Sequence, residues 1–283
     1  MSDGLAAHLS RLLAAGAPTV LVTVAEAKGS TPREEGATML VTDEHSLGTV
    51  GGGRLEWECL AQARKLLAGG QAEAWVEIPL GPAVGQCCGG YVRIRLRRAG
   101  SRELAELEGV EAAVEASLPS VLLFGAGHVG RALAAALAPL PLRLRWIDAR
   151  AGEFPHPAPA GVEAVVTDRP LVEIERATPG SSAFVLTHSH SLDFTLCSAV
   201  LERDDFAYLG LIGSATKRAK FERGFRELGI APARIAAMRC PIGGTALRDK
   251  RPPVIAALAA AELLLALAQI GTTAVSTAQE RAA

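Results

Sequence analysis

The sequence has almost no net charge: 29 Lys and Arg stand against 30 Asp and Glu, a formal −1. Broad electrostatic capture of nucleic acid is thereby excluded, although a local basic pocket is not. Cysteine is sparse and odd in number, five in 283 residues. A disulfide framework would be denser and the chain shorter, so a reducing cytoplasm fits the count. No cationic start precedes an apolar run at Met1-Ser2-Asp3, and no secretory signal is expected. No apolar stretch reaches the roughly 20 residues of a membrane span. The nearest, residues 254–270, is interrupted by Glu262 and Gln269 and reads as a helix buried between domains or subunits. Internal repeats and long low-complexity tracts are absent too. With 21% charged residues, 29 glycines and 16 prolines, the chain is neither disordered nor collagenous.

What is there is a chain long enough for two domains and for a core that needs no staples. Leu5, Leu9, Leu12 and Leu13 recur at helical spacing, and Gly16 stops that helix. Strand patterning follows over residues 19–24 and 38–42, with a polar turn at 43–46. Residues 55–67 read as a helix behind Gly51-Gly52-Gly53, and 75–80 and 91–96 as strands enclosing Gly85-Gln86-Cys87-Cys88-Gly89-Gly90. The charged stretch 101–117 is expected as a connecting helix ended by Pro119. From Ser120 the pattern changes. Apolar strands over 121–124, 142–148, 162–167, 183–187 and 208–212 alternate with helices, the signature of a parallel sheet. The expected class is therefore α/β: a mixed α/β domain over 1–100, a connecting helix over 101–118 and a parallel-sheet domain over 119–270. A flexible tail over 271–283 completes it.

The sharpest motif is Phe124-Gly125-Ala126-Gly127-His128-Val129-Gly130, where a strand runs into G-x-G-x-x-G and an Ala-rich helix. Gly125 permits the tight turn, Gly127 lets backbone approach a pyrophosphate, and Gly130 lets helix pack on strand. The helix start offers that anion free N–H groups and partial positive charge. Asp148 ends the next strand at the ribose-reading position of a Rossmann-like unit, and Arg150 beside it leaves NAD and NADP equally open. Further candidates sit at other expected strand ends, where open α/β sheets bind ligands. They are His188, His190 and Asp193 after one strand, Gly213 and Lys217 after another, and His128 in the turn itself. The spacing His188-x-His190-x-x-Asp193 misses the common H-x-H-x-D hydrolase pattern by one residue.

The first half supplies three small-residue loops. Gly29-Ser30-Thr31-Pro32-Arg33 groups hydroxyls, amides and a guanidinium, a set suited to phosphate or carboxylate. Gly52, Gly53 and Glu56 belong to a glycine turn entering a helix, a second anion cradle or simply a tight turn. Cys87 and Cys88 are adjacent, and consecutive Cα atoms about 3.8 Å apart lie below the ~4.4–6.8 Å usual for a disulfide. Two free thiols are expected. Cys59 and Cys197 read as small core residues.

Taken together these residues resemble the XdhC/CoxI accessory proteins, which serve molybdenum hydroxylases such as xanthine dehydrogenase and carbon monoxide dehydrogenase. The matching stretches are 29–33 with Gly36-Ala37, 48–56, 85–90, 124–130, 187–193, 208–217 and Cys240-Pro241-Ile242-Gly243. Residues 244–250 are less regular than that family's usual run. The resemblance implies an N-terminal XdhC/CoxI domain and a C-terminal Rossmann-like domain in a cytoplasmic homodimer, with no part for nucleic acid or membrane. It implies a chaperone rather than a metabolic enzyme. Such a protein binds the molybdenum cofactor, molybdopterin or its dinucleotide form, while a cysteine desulfurase supplies sulfur, and helps deliver it to the apo-hydroxylase. The residues carried over as cofactor-binding are Gly29, Ser30, Arg33, Gly52, Gly53, Glu56, Cys87, Cys88, Gly125, Gly127, His128, Gly130, Asp148, His188, His190, Asp193, Gly213 and Lys217. Two other readings stand beside it: an NAD(P)-dependent oxidoreductase using Gly125–Gly130 and Asp148, and a metal-dependent hydrolase built on His188, His190 and Asp193.

Overall fold

The computed structural model describes residues 4–80, 90–245, 247 and 249–282. The chain divides into two compact units, one ending at Ala116 and one beginning at Ser117.

In the N-terminal unit, α1 (Leu5–Ala14) leads to β1 (Val20–Lys28), β2 (Thr38–Val41) and β3 (Ser46–Gly48). Next come α2 (Gly53–Gly69), β4 (Glu73–Pro79), β5 (Tyr91–Arg98) and α3 (Ser101–Ser117). Gly16 has φ 66°, the left-handed turn that ends α1. The strands form one antiparallel sheet in the order β3-β2-β1-β5-β4. Strand alternation divides its residues between two cores. Val20, Val22 and Val24 face the buried side of α2, with Leu55, Cys59, Ala63 and Leu66. Leu21 and Leu40 face the other way and take Ala6 and Leu9 of α1 and Leu107 of α3. Thus α3 is part of this unit's second layer rather than a free connector. Residues 46–48 pair with β2 as a short edge strand, so Ser46, expected to end the polar turn at 43–46, belongs to a strand.

The C-terminal unit comprises β6 (Ser120–Phe124), α4 (His128–Leu137), β7 (Arg143–Asp148), β8 (Val162–Val166), α5 (Leu171–Glu175) and β9 (Ser182–Val185). It continues with α6 (His190–Arg203), β10 (Tyr208–Leu211), α7 (Ala215–Glu227), α8 (Pro232–Ala237) and α9 (Pro252–Ala282). Its sheet is wholly parallel, ordered β10-β9-β6-β7-β8. Strand order reverses between β6 and β9, so the topological switch point lies at their carboxyl ends. Buried strands explain the unbroken apolar runs: Val121, Leu122, Leu123 and Phe124 are each at most 1% exposed. One face packs Val121, Leu123, Trp146 and Phe184 against α4 and α9; the other packs Leu122, Ile147 and Val185 against α6 and α7.

The apolar segment expected at 254–270 is the first part of α9, which continues through the stretch expected as a tail. By length and composition Pro252–Gln269 is long and apolar enough to cross a membrane, contrary to the expectation from the interrupted run at 254–270. One side is nevertheless committed to the core. Ala256, Ala259, Ala260 and Leu263 are buried beside α4, and the Tyr208 hydroxyl donates to Glu262 Oε1 at 2.5 Å. The Glu that interrupts the apolar run is there to meet that hydroxyl, whose removal from water demands a partner.

Candidate functional site

The motif Gly125–Gly130 sits at the switch point, and each glycine has a different reason to be there. Gly125 has φ 116°, and a Cβ on it would lie 2.2 Å from the Leu186 carbonyl oxygen. A Cβ on Gly130 would lie 2.0 Å from the Gly125 oxygen, so this residue lets α4 close onto the turn. At Gly127 a Cβ would meet nothing within 4 Å, and φ is an ordinary −68°. Nothing in the protein's own packing requires glycine at 127. The position faces open space at the start of α4, whose first-turn amides have no partner inside the helix. Among the described residues no acceptor outside it takes those of Gly127, His128 and Val129 either.

Asp148 holds this turn in shape. Its Oδ2 accepts from the Ala126 amide at 2.7 Å and the Arg150 guanidinium at 2.8 Å; its Oδ1 accepts from the Arg150 amide at 3.0 Å and Nε at 2.9 Å. Four donors fill the roughly four acceptor sites of a carboxylate. The ribose-reading role expected for Asp148 therefore meets a carboxylate already saturated. Burial raises its pKa, but the Arg150 side chain and the Ala126 and Arg150 amides outweigh it and hold the group down at about 2. A depressed carboxyl pKa contributes stability above the unfolded value near 3.9 and loses it as pH falls through the folded value. Asp148→Asn should thus cost about 2 kcal/mol at pH 5 and progressively less between about pH 4 and 2. Urea unfolding at several pH values checks this; a gap independent of pH would remove the charge from the account.

Asp193 is likewise turned inward, 1% exposed. Its Oδ1 accepts from the Thr187 amide at 2.9 Å and hydroxyl at 2.7 Å, and its Oδ2 from Lys217 Nζ at 2.6 Å. Lys217 Nζ also donates to the Ile212 carbonyl at 2.9 Å. The pair ties the starts of α6 and α7 to the ends of β9 and β10. Gly213 is explained by the same packing, since a Cβ there would lie 2.9 Å from Lys217 Cδ and 3.2 Å from Cys240 Sγ. This corrects the metal-site reading: Asp193 meets Lys217 and Thr187, while His188 and His190 are exposed. Among the described residues no three His, Cys, Asp or Glu side chains come together as ligands. His128, the first residue of α4, is exposed as well.

Beside Gly125 lies a cavity of about 90 Å³ between the carboxyl ends of β6, β7, β8 and β9. Phe124, Ile147, Leu192 and Leu196 form its apolar part. Ala149, Asp168 and His188, all exposed, stand at its mouth. Ala149 and Asp168 were not singled out from sequence. The available signal was position alone: a carboxylate just past a parallel strand, in Thr167-Asp168-Arg169-Pro170.

In the N-terminal unit the expected small-residue loops meet. A Cβ on Gly51 would lie 2.6 Å from Pro32 Cγ, and one on Gly90 would lie 2.4 Å from the Ser30 carbonyl oxygen. The loop carrying Gly29, Ser30 and Arg33, all exposed, thus touches both the Gly51–Gly53 turn and the start of β5. Gly52 and Gly53 have φ of 71° and 56°, which favours glycine. Glu56 serves that turn: its Oε2 accepts from Thr49 Oγ1 at 2.5 Å and the Gly52 amide at 3.2 Å. Cys87 and Cys88 lie outside the described residues. Cys59, Cys197 and Cys240 are free thiols in the core, and burial pushes Cys59 up to about 12 and raises the other two. They are packing residues, not nucleophiles.

Comparison with known proteins agrees with this architecture. A solved Bacillus halodurans structure described as a xanthine dehydrogenase superposes with a TM-score of 0.75 at 18% identity, covering 94% of this chain and 96% of that one. At that identity it shows the fold. YqeB of Escherichia coli K12 is 28% identical over 256 residues, 87% of this chain, and the chain spans 43% of that relative's length. Family models described as the XdhC and CoxI family and the XdhC Rossmann domain match residues 12–78 and 121–263. The second match contains the glycine turn, Asp148, the Asp193–Lys217 pair and the cavity, and the first contains the Ser30 loop and the Gly51–Gly53 turn. The chain belongs to the XdhC and CoxI family.

Proposed function

We propose that this protein is an accessory factor for a molybdenum hydroxylase such as a xanthine dehydrogenase. It binds the molybdenum cofactor, holds it while a cysteine desulfurase supplies the terminal sulfur, and helps insert it into the client. Family membership supports the accessory role, and the structural neighbour is itself described as a xanthine dehydrogenase. The observation that carries the binding reading is the open position at Gly127. A glycine that no internal contact demands, at a helix start with unpartnered amides, fits a group whose phosphate or pyrophosphate approaches the backbone. In this reading the Gly127, His128 and Val129 amides hold the phosphate and Asp148 fixes the turn that presents them. The cofactor supplies the molybdenum centre, and the chain supplies anchoring and shelter. An NAD(P)-dependent oxidoreductase remains the alternative ligand class for the same turn, but a saturated Asp148 is a poor reader of a ribose hydroxyl.

The reading is tested by deleting the gene and isolating the host's molybdenum hydroxylases. The expected result is hydroxylase protein that accumulates poor in molybdenum cofactor or in cyanide-labile sulfur. Fully loaded, fully sulfurated and active hydroxylases in the deletion strain would overturn it.

A further inference from the structure

We infer that the outer edge of β4, with the groove between it and α2, is a docking strip for a partner protein. The occupant is an extended segment that adds to the sheet as a further strand and alternates apolar with basic residues. β4 ends its sheet and pairs with β5 alone. The bonds that flank the ladder fix which of its groups that pairing uses. The Leu80 amide donates to the Gly90 carbonyl, and the Arg98 amide donates to the Ala72 carbonyl. With a period of two, residues 74, 76 and 78 also bond to β5, and the N–H and C=O groups of Trp75 and Glu77 point outward. Among the described residues nothing takes them. Pro79 holds the next outward position, where a missing N–H costs the sheet nothing, and it closes the strip.

The two faces of this edge differ. Ala74, Val76 and Ile78 pack toward α2, and a cavity of about 220 Å³ opens among Leu55, Val76 and Ile78. On the opposite face Trp75 is 44% exposed, with the Arg93 guanidinium 4.3 Å from its ring centre. Glu73 and Glu77 stand two residues to either side of it. Arg95 fills two acceptor sites of Glu73, and Arg93 reaches Glu77 at 3.5 Å; a carboxylate has roughly four such sites. A residue of an added antiparallel strand that sits opposite Trp75 is diagonal to both glutamates, so Lys or Arg is selected there. Its neighbour, opposite Val76, points to the other face and into the cavity, so an apolar side chain is selected. The inner side of β4 already shows this pattern: Val92, Arg93, Ile94 and Arg95 alternate in β5, and the same two glutamates take the two arginines. A second copy of β4 does not fit, because it would add its own Glu73 and Glu77 to the carboxylate face. In such edge addition the main-chain bonds give affinity and the alternate side chains give specificity.

Fluorescein-labelled Val-Arg-Val-Arg-Val-amide should be titrated with the full-length chain and read by anisotropy. The acidic counterpart, Val-Glu-Val-Glu-Val-amide, is expected to bind at least about tenfold more weakly, the scale of one charge-assisted contact. Glu77→Lys, at a side chain 60% exposed, should weaken the arginine peptide about tenfold and leave the melting temperature near the parent's. N-methylation of the two arginines should abolish binding, and N-methylation of the valines should spare it, since only the arginine amides face β4. No binding at millimolar arginine peptide would overturn the strip. So would an acidic peptide that binds as well, or binding that survives Glu77→Lys or methylation of the arginines. Sedimentation that shows an oligomer dissociated by Glu77→Lys would also overturn it, by assigning the edge to a second copy of the chain.

Discussion

Gly127→Val should lower retention of the molybdenum cofactor by on the order of 100-fold while the melting temperature stays within a few degrees of the parent. The reasoning is steric on one side only. Apart from its chain neighbours, no atom of the described residues lies within 4 Å of the place a Cβ would occupy, and the backbone there is one any residue adopts, so the fold has no objection. A bound phosphate does, because a branched side chain would stand between it and the amides of α4. Losing two charge-assisted contacts at about 1.5–3 kcal/mol each gives a loss of that order or more. Gly130→Ala is the control. Its Cβ would press within 2.0 Å of a backbone oxygen, so it should destabilise by at least the ~1–3 kcal/mol of overpacking. Ultrafiltration binding and thermal melts read the two effects separately. Unchanged cofactor binding by Gly127→Val would return the turn to a purely structural role.

The largest stability effect is expected at the Asp193–Lys217 pair. Both side chains are nearly enclosed, at 2% and 11% exposure, and each satisfies the other as well as a strand end. Lys217→Ala leaves a buried carboxylate with only the Thr187 donors, at a cost of about 3–5 kcal/mol. For a unit of this size that is on the order of 10 °C in melting temperature. Removing both charges together, as Asp193→Asn with Lys217→Met, should recover much of the loss, because a buried pair is weak evidence of net stabilisation. If the single variant melts with the parent, the pair is not the clamp on α6 and α7 that its geometry describes.

The C-terminal unit was legible because its physics is local. Buried parallel strands are written as apolar runs, and the glycine turn needs glycine at 125 and 130 for reasons visible in any strand–turn–helix unit. The expected strands and the observed ones agree to within a residue or two at each end. Side-chain direction was not legible. Asp148 and Asp193 stood at ligand-reading positions, but whether a carboxylate faces a ligand or a neighbouring cation depends on distant residues. Arg150 closes one and Lys217 the other. The antiparallel order of the first sheet, the docking of α3 through Leu107 and the meeting of Pro32 with Gly51 are also products of tertiary packing. The cavity at Asp168 was hidden for the same reason: four strand ends build it, and no single segment announces it.

In the proposed function the switch point of the C-terminal unit holds a molybdopterin-based cofactor. The most direct measurement is the content of the full-length protein purified from molybdate-replete cells, with the Gly127→Val variant prepared in parallel. Pterin, read as its fluorescent oxidation product, and molybdenum are each expected to approach about one per chain in the parent and to be nearly absent from the variant. A parent protein free of pterin and molybdenum that carries bound nicotinamide dinucleotide would contradict it.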